Sequence, residues 1–501
     1  MRIAQKKKVV PGRNAPTVDR FRPRGSASVT CDPLEPSTGL LASAAEPVEA
    51  AAPRPQLARL VLLAISVVAT VWLILLVHHA VLEVALVAVS GGACAALAVL
   101  EHRRPRLPVR IVAVAIGVIV LAAVVLPSRS SRDLWSYAMY GRMVAVHHVS
   151  PYDHVPADFP RDPFSRLVST RWSHQSSVYG PAFSAAAAVD VAIAGDSQLG
   201  ARLMFQGTAA AAAIGILCLV WRRTRSPVAL LWLGLNPVTA VVVNGGHNDV
   251  FVALGLVGAA MLLVRGRVRN AGVVLGLAAL VKITALLGLV GACFWLWRSG
   301  RRRAAASLAA TAGGVIALGY LPVVTAATRV LGTANRTITD ASPWNPLGDA
   351  LLGHQAWRDV RSPLAANATL TTISMASTVL VLTLVVVLGW RTATARSPEP
   401  PVGTAVACYS MGAAYTFPWY SIWALPLFAS RRPSAVAWIV WIQSLVVLAA
   451  LKLPVHPTAR VVEAVDRFAL TMVAPVALLI AFVIAAMRAG RRHGAAAPVG
   501  A

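Results

Sequence analysis

Long, nearly unbroken apolar stretches separated by short polar ones run from residue 57 to residue 487 of this 501-residue chain. Leu57–Val77, His79–Leu100, Val109–Leu126, Leu199–Val220, Ala304–Thr325 and Leu370–Trp390 each approach the length that a helix needs to cross a bilayer, about 20 residues. Pro181–Gly195, Pro227–Val243, Val250–Val264, Val402–Tyr415, Tyr420–Ala429, Ala435–Leu451 and Leu470–Met487 continue the pattern. Ala271–Trp297 carries Lys282 near its middle and reads as one long helix or as two short ones. The runs are continuous rather than alternating, which argues against β-barrel strands. The fold class is an all-α polytopic membrane protein with roughly 13 transmembrane helices. Two longer polar stretches, 128–180 and 326–367, read as loops.

Composition agrees: 57% of residues are hydrophobic and only 13% charged, against roughly 25% charged in a soluble domain. A net charge of +26 would suit nucleic acid if the basic residues formed one surface. They lie instead in short clusters between apolar runs, at Arg222-Arg223, Arg265 to Arg269, Arg298 to Arg303, Arg431-Arg432 and Arg491-Arg492. That is the distribution of cytoplasmic turns, so nucleic acid is not a partner. Residues 1–56, with Lys6-Lys7-Lys8 and many prolines, read as a disordered basic cytoplasmic tail, and 488–501 as a second tail. The helical domain is then 57–487. The five cysteines show no paired spacing, so neither a disulfide framework nor a metal site is indicated.

With the basic clusters inside, Asp133, Gly245 to Asp249 and Phe417 to Tyr420 fall on the outer side, and so does Lys282 if its run is two helices. One conflict remains. Pro181–Gly195 and Leu199–Val220 look like two crossings, whereas the charges want an odd number there. Either Pro181–Gly195 is re-entrant or interfacial, or the arginines break the rule.

The polar groups gathered on this side are candidates for a site. Asp133 is a general base, or else an ion-pair partner of Arg132 or Arg142, or a helix N-cap. Arg129, Arg132, Arg142 and Arg171 match phosphate oxygens or snorkel to headgroups. In Gly245-Gly246-His247-Asn248-Asp249 the glycines let backbone approach a ligand. Asn248 or Asp249 is expected to cap the next helix, and His247 and Asp249 to touch ligand. Lys282, far from any basic cluster, calls for a phosphate or an acid as partner. No nucleotide-binding glycine motif occurs.

In order along the chain come Ser131-Arg132-Asp133 with Ser136-Tyr137, then Gly141 and Ser150-Pro151-Tyr152. Tyr179-Gly180-Pro181-Ala182-Phe183, Asn236-Pro237 with Gly245 to Asp249, Val281-Lys282-Ile283-Thr284, and Pro418-Trp419-Tyr420 with Trp423 follow. Taken together these blocks resemble the polyprenol-phosphate-mannose-dependent alpha-1,6-mannosyltransferases of actinobacterial cell envelopes, which elongate the mannan of lipomannan and lipoarabinomannan. The resemblance implies a GT-C glycosyltransferase fold, with the active site on the outer face of the plasma membrane and the catalytic carboxylate at Asp133. It implies donor contacts from Arg132, Tyr137, Arg142, His247, Asn248, Asp249 and Lys282, and donor or acceptor contacts from Tyr152, Tyr179, Trp419 and Tyr420. The donor would be polyprenyl-phosphate-mannose, the acceptor a mannan glycolipid, with membrane lipid around both and no cofactor or metal. A transporter or flippase of lipid-linked sugar, or a GT-C enzyme using another polyprenyl-phosphate sugar, is the alternative.

Overall fold

A computed structural model describes residues 54–76, 79–129, 131–324, 338–353, 368–394, 396–453 and 465–494. The expectations for most of the 1–56 tail, for much of the 326–367 loop and for residues 495–501 lie outside the described residues. Among the described residues there is no strand. The helices are α1 (Arg54–Leu75), α2 (Ala80–Arg103), α3 (Val109–Val125), α4 (Asp133–Ala145), α5 (Pro181–Ala194) and α6 (Gln198–Thr224). Then come α7 (Pro227–Gly234), α8 (Pro237–Asn244), α9 (Asp249–Val264), α10 (Val268–Val281), α11 (Leu286–Arg298) and α12 (Arg302–Tyr320). The last are α13 (Asn345–Leu352), α14 (Ala368–Thr392), α15 (Glu399–Gly412), α16 (Ala435–Lys452) and α17 (Ala474–Gly494). Among the described residues seven helices are long and apolar enough to cross a membrane, and the bent pair α7–α8 would make an eighth. Apolar side chains such as Leu318 and Val379 stay 75% and 65% exposed, as suits surfaces that face lipid rather than water.

Pairings between distant residues show which helix ends lie together. Arg59 meets Glu101 at 2.6 Å, and His102 Nδ1 lies 3.1 Å from the Arg431 carbonyl. Arg223 pairs with Glu399, Arg298 stacks over Trp390, and Gly490 packs on Arg391. These contacts gather an arginine-rich end. At the other end Asn244 and Gln206 donate to the carbonyls of Ala123 and Leu126, where α3 stops. Lys452 meets Glu83 there at 2.9 Å.

Small residues set the close helix contacts. Gly272, Gly276 and Gly319 bring α10 and α12 together in parallel, against Leu308, Val315 and Leu280 in turn. Helix α11, which links them in sequence, runs in the opposite sense, with Cys293 close to the Ala305 carbonyl. The Ala271–Trp297 run is therefore two short helices, and Lys282 sits at the break, extended at φ −151°, ψ 121°. The other expected boundaries shift by a few residues, except that the 128–180 loop holds α4, the last run continues to Gly494, and two runs are broken. Pro227–Val243 bends by 55° at the Asn236-Pro237 step, since proline cannot continue the α7 ladder. Tyr420–Ala429 is a 3-10 turn, Pro418–Trp423, followed by one α turn, Leu425–Phe428. Pro418 and Pro426 there each lack the N–H that a regular helix uses.

Helix α5 accounts for the crossing conflict. Its start is tied to the Lys282 break, with Gly180 N donating to the Val281 carbonyl. Its end, Gly195-Asp196, is held by Arg142 of α4. Both ends thus stay at one end of the bundle. Helices α4 and α5 pack together through a satellite core of Leu134, Met139, Met143, Phe164, Phe183 and Val191. Gly141 lies against the backbone of Ala187, too close for any Cβ.

Candidate active site

Asp133 opens α4, its N–H capped by Ser131 Oγ at 3.1 Å. Its carboxylate lies 3.8 Å from His247 Nδ1, and Tyr137, one turn on, places its hydroxyl 3.4 Å from the same nitrogen. Burial pushes the Asp133 carboxyl up to about 6; the Lys282 charge, the Ser131 hydrogen bond and Arg171 pull back, while Asp249 adds to the rise. A carboxylate tuned to that range is half-charged near pH 6, largely ionised at neutral pH, and accepts a hydroxyl proton far better than a solvated one.

His247 sits in the turn between α8 and α9, fully buried. Gly245 has no Cβ because the imidazole lies directly against it, and Gly246 takes φ +58°, a left-handed turn that glycine adopts freely. The ring stacks on Trp419 at 3.9 Å and 19°, and Trp419 stacks in turn on Phe417 at 4.6 Å and 5°. Burial and the Lys282 charge hold His247 down to about 3, so it is neutral at any working pH.

Lys282 Nζ donates to Asp249 Oδ1 at 2.8 Å, and Trp423 Nε1 donates to the same oxygen at 2.9 Å. The ammonium lies over Tyr420 at 4.4 Å, Trp423 at 5.4 Å and Tyr179 at 5.8 Å from the ring centroids, a cation–π cage that holds charge away from water. Gly180 brings Tyr179 to this break: a Cβ there would collide with the Leu280 carbonyl.

Around this centre His247 Nε2, both amide atoms of Asn248, Asp249 Oδ2 and Thr284 Oγ1 are buried without hydrogen-bond partners. Such groups cost stability and concentrate where polarity serves function. Asn248 does occupy the N-cap position of α9, as expected, yet its side chain makes no capping bond. Its backbone is αR (φ −66°, ψ −12°) rather than the extended form that turns a cap side chain back onto the helix.

The structure thus brings together Asp133, Tyr137, Tyr179, His247, Asn248, Asp249, Lys282, Trp419 and Tyr420. Arg142 is not among them. It is buried between Asp162 and Asp196, 2.8 Å from each, and stacks on Phe164 at 4.8 Å. Burial alone would raise Asp162, but Arg142, the Phe164 N–H and His147 hold it below the ordinary carboxylate range. Arg142 therefore locks the loop. Tyr152 likewise spends its hydroxyl on the Tyr179 carbonyl at 2.8 Å. Arg132 is exposed beside Asp133. Two further groups stand out: Trp423, which belongs with the Pro418 block but was given no role there, and Arg171, one of the arginines expected to match phosphate. Trp423 completes the Asp249 pairing, and its indole N–H within an aromatic block was the available signal. Arg171, exposed on a short turn, acts electrostatically on Asp133 and Tyr415. Among the described residues no three or more His, Cys, Asp or Glu side chains form a metal-sized group.

A polytopic helical membrane protein with an acid, a neutral histidine and a caged lysine at one end of the bundle is the class that fold and geometry define. Residues 38–299 match the model of the family described as alpha-(1->6)-mannopyranosyltransferase, N-terminal domain, and the chain belongs to that family. Asp133, His247, Asp249 and Lys282 fall inside the matched segment; Trp419, Tyr420 and Trp423 follow it. Alpha-(1->6)-mannopyranosyltransferase A of Mycobacterium tuberculosis is 30% identical over 198 residues, 36% of this chain and 37% of that relative. The aligned part thus spans little more than a third of the relative's length. No solved structure matches the chain.

Proposed function

We propose that this protein transfers mannose from polyprenyl-phosphate-mannose to a growing alpha-1,6-mannan acceptor of the lipomannan or lipoarabinomannan type, with inversion, on the outer face of the plasma membrane. The observation that carries the reading is the convergence of Asp133, His247 and the Lys282–Asp249 pair at one end of the bundle.

Asp133 takes the proton of the acceptor hydroxyl. The freed oxygen lone pair attacks the anomeric carbon from the face opposite the phosphate. The bond from that carbon to the phosphate oxygen breaks, and its electron pair leaves with polyprenyl phosphate. The proton passes from Asp133 to solvent. A beta-linked donor gives an alpha product. Lys282 supplies positive charge where the leaving phosphate gains negative charge, which lowers the barrier in a site of low dielectric. One of its three N–H donors is bound to Asp249, which leaves two for phosphate oxygens. His247, neutral and stacked on Trp419, lies beside the Asp133 carboxylate without adding charge. Arg132 and Arg171 add cationic groups at the mouth, and Tyr179 offers an aromatic surface to sugar, while Tyr420 lies buried between Lys282 and Trp423.

Arginine clusters stay cytoplasmic, so the site end faces outward. The GT-C class and roughly 13 crossings belong to this reading, as do apolar flanks that hold the polyprenyl chain.

The test is incubation of detergent-purified protein with radiolabelled polyprenyl-phosphate-mannose and short mannosides, followed by linkage analysis of the product. New alpha-1,6 linkages support the reading. Absence of transfer in detergent, with movement of lipid-linked sugar between leaflets of proteoliposomes, would make the protein a carrier, because transport needs two compartments and glycosyl transfer does not.

A further inference from the structure

At the arginine-rich end, opposite Asp133, a cavity of about 460 Å³ opens between α6, α9, α15 and the stretch from Pro426 to Ser434. Its size falls in the range of small-molecule sites. Leu219, Met261, Leu427 and Phe428 form apolar walls, and Arg431 and Arg432 lie at the rim. Arg223, also on the lining, is taken by Glu399 at 2.7 Å. Arg431 and Arg432 are exposed, and neither guanidinium has a carboxylate partner among the described residues. Glu399 Oε2 is buried with no donor.

These features limit the occupant. A purely apolar ligand would leave two cations and an acceptor unused. A small inorganic anion would leave the apolar walls wet. Arginines that merely snorkel to headgroups need no cavity behind them. A phosphodiester amphiphile satisfies all three: guanidinium matches phosphate oxygens in a bidentate way, apolar walls take methylenes, and Glu399 Oε2 accepts a headgroup O–H. This end also carries the other basic clusters, so a negatively charged lipid is concentrated there.

We propose that this cavity binds one anionic, hydroxyl-bearing phospholipid, with its phosphate on Arg431 and Arg432, a headgroup hydroxyl on Glu399, and its chain along Leu219, Met261 and Phe428. The site is separate from that of sugar transfer and does not depend on the identity of the donor.

Native mass spectrometry of the full-length protein in detergent tests it, with titrations of phosphatidylglycerol, phosphatidylcholine and inorganic phosphate. Phosphatidylglycerol is expected to leave a retained adduct. Phosphatidylcholine, lacking both net charge and hydroxyl, should bind about tenfold more weakly, and inorganic phosphate should not be retained. Arg431→Gln with Arg432→Gln should weaken phosphatidylglycerol by about tenfold or more, the loss of two charge-assisted contacts. Arg267→Gln with Arg269→Gln makes the same charge change at the same end but off the cavity, and should keep the adduct. Met261→Trp fills the cavity without touching charge, should also remove the adduct, and decides the matter if the double arginine variant fails to fold. Equal retention of both lipids, equal damage from both double variants, an adduct surviving Met261→Trp, or retention of inorganic phosphate alone would each overturn the proposal.

Discussion

Lys282→Met separates the structural from the chemical role of the caged lysine. Asp249 is fully buried, and Lys282 is 14% exposed at its side chain, 2.8 Å away. Removing one partner of such a pair leaves a buried charge alone, at a cost of about 3–5 kcal/mol. Removing both charges is close to neutral, and an amide at 249 still accepts from the Trp423 indole. Lys282→Met alone should therefore lower the thermal midpoint sharply, and the double variant with Asp249→Asn should recover to within about 1 kcal/mol of wild type. Transfer should behave differently. Losing the cation at the leaving phosphate costs about 10²–10³ in turnover, and the double variant should remain that slow. Asp249→Asn alone, which keeps the cation, should lie within about tenfold of wild type, or about 1.4 kcal/mol. The assay is radiolabelled mannosyl transfer beside thermal unfolding in one detergent. If the double variant regained both stability and turnover, Lys282 would be no more than the counter-ion of Asp249.

Four further outcomes are expected. With Asp133 pushed up to about 6 by burial, kcat/KM should climb with pH through a single limb near 6, and Asp133→Asn should lack that limb. His247, held at about 3, should add none near its ordinary value. Asp133 binds its proton more tightly in the folded state than in the unfolded one. Its contribution therefore makes the fold less stable as pH rises from about 4 to about 6, and Asp133→Asn should flatten that slope in thermal unfolding. Gly180→Ala should drive residue 180 away from the Leu280 carbonyl, shift Tyr179 with it and cut turnover about tenfold or more, in line with misplacement at a reacting centre, while the α4–α5 core still folds by circular dichroism. Activity should survive excess chelator; complete loss rescued by magnesium or manganese would make Asp249 a metal ligand.

The helical class was legible because continuous apolar runs leave a chain no other home. Lys282 was legible as an anomaly: a lone cation inside an apolar run demands a partner, and Asp249 proved to be that partner. Its place at a helix break was one of two readings, and the parallel glycine contacts of α10 with α12 decide it. Helix α5 could not be placed from composition, because an apolar 14-residue helix looks alike in a span and on a loop core. Only the Gly180–Val281 and Arg142–Asp196 contacts distinguish them. Arg142 looked like a phosphate ligand for the same reason that it makes a good loop lock: a planar guanidinium suits a carboxylate as well as a phosphate. Its partners, Asp162 and Asp196, are 20 and more residues away in sequence, beyond the reach of local pattern. Asn248 looked like a cap by residue type, but its backbone conformation decided otherwise.

Asp133 as the base of mannosyl transfer is the central claim, and the turnover of purified Asp133→Asn tests it most directly. The measurement is transfer from radiolabelled polyprenyl-phosphate-mannose to a short mannoside, at matched protein level and with a thermal midpoint at or above that of wild type. The expected result is a loss of about 10²–10⁴ in rate with donor binding retained. Turnover near wild type from a folded variant would contradict it and leave Asp133 as a helix-terminal residue beside His247.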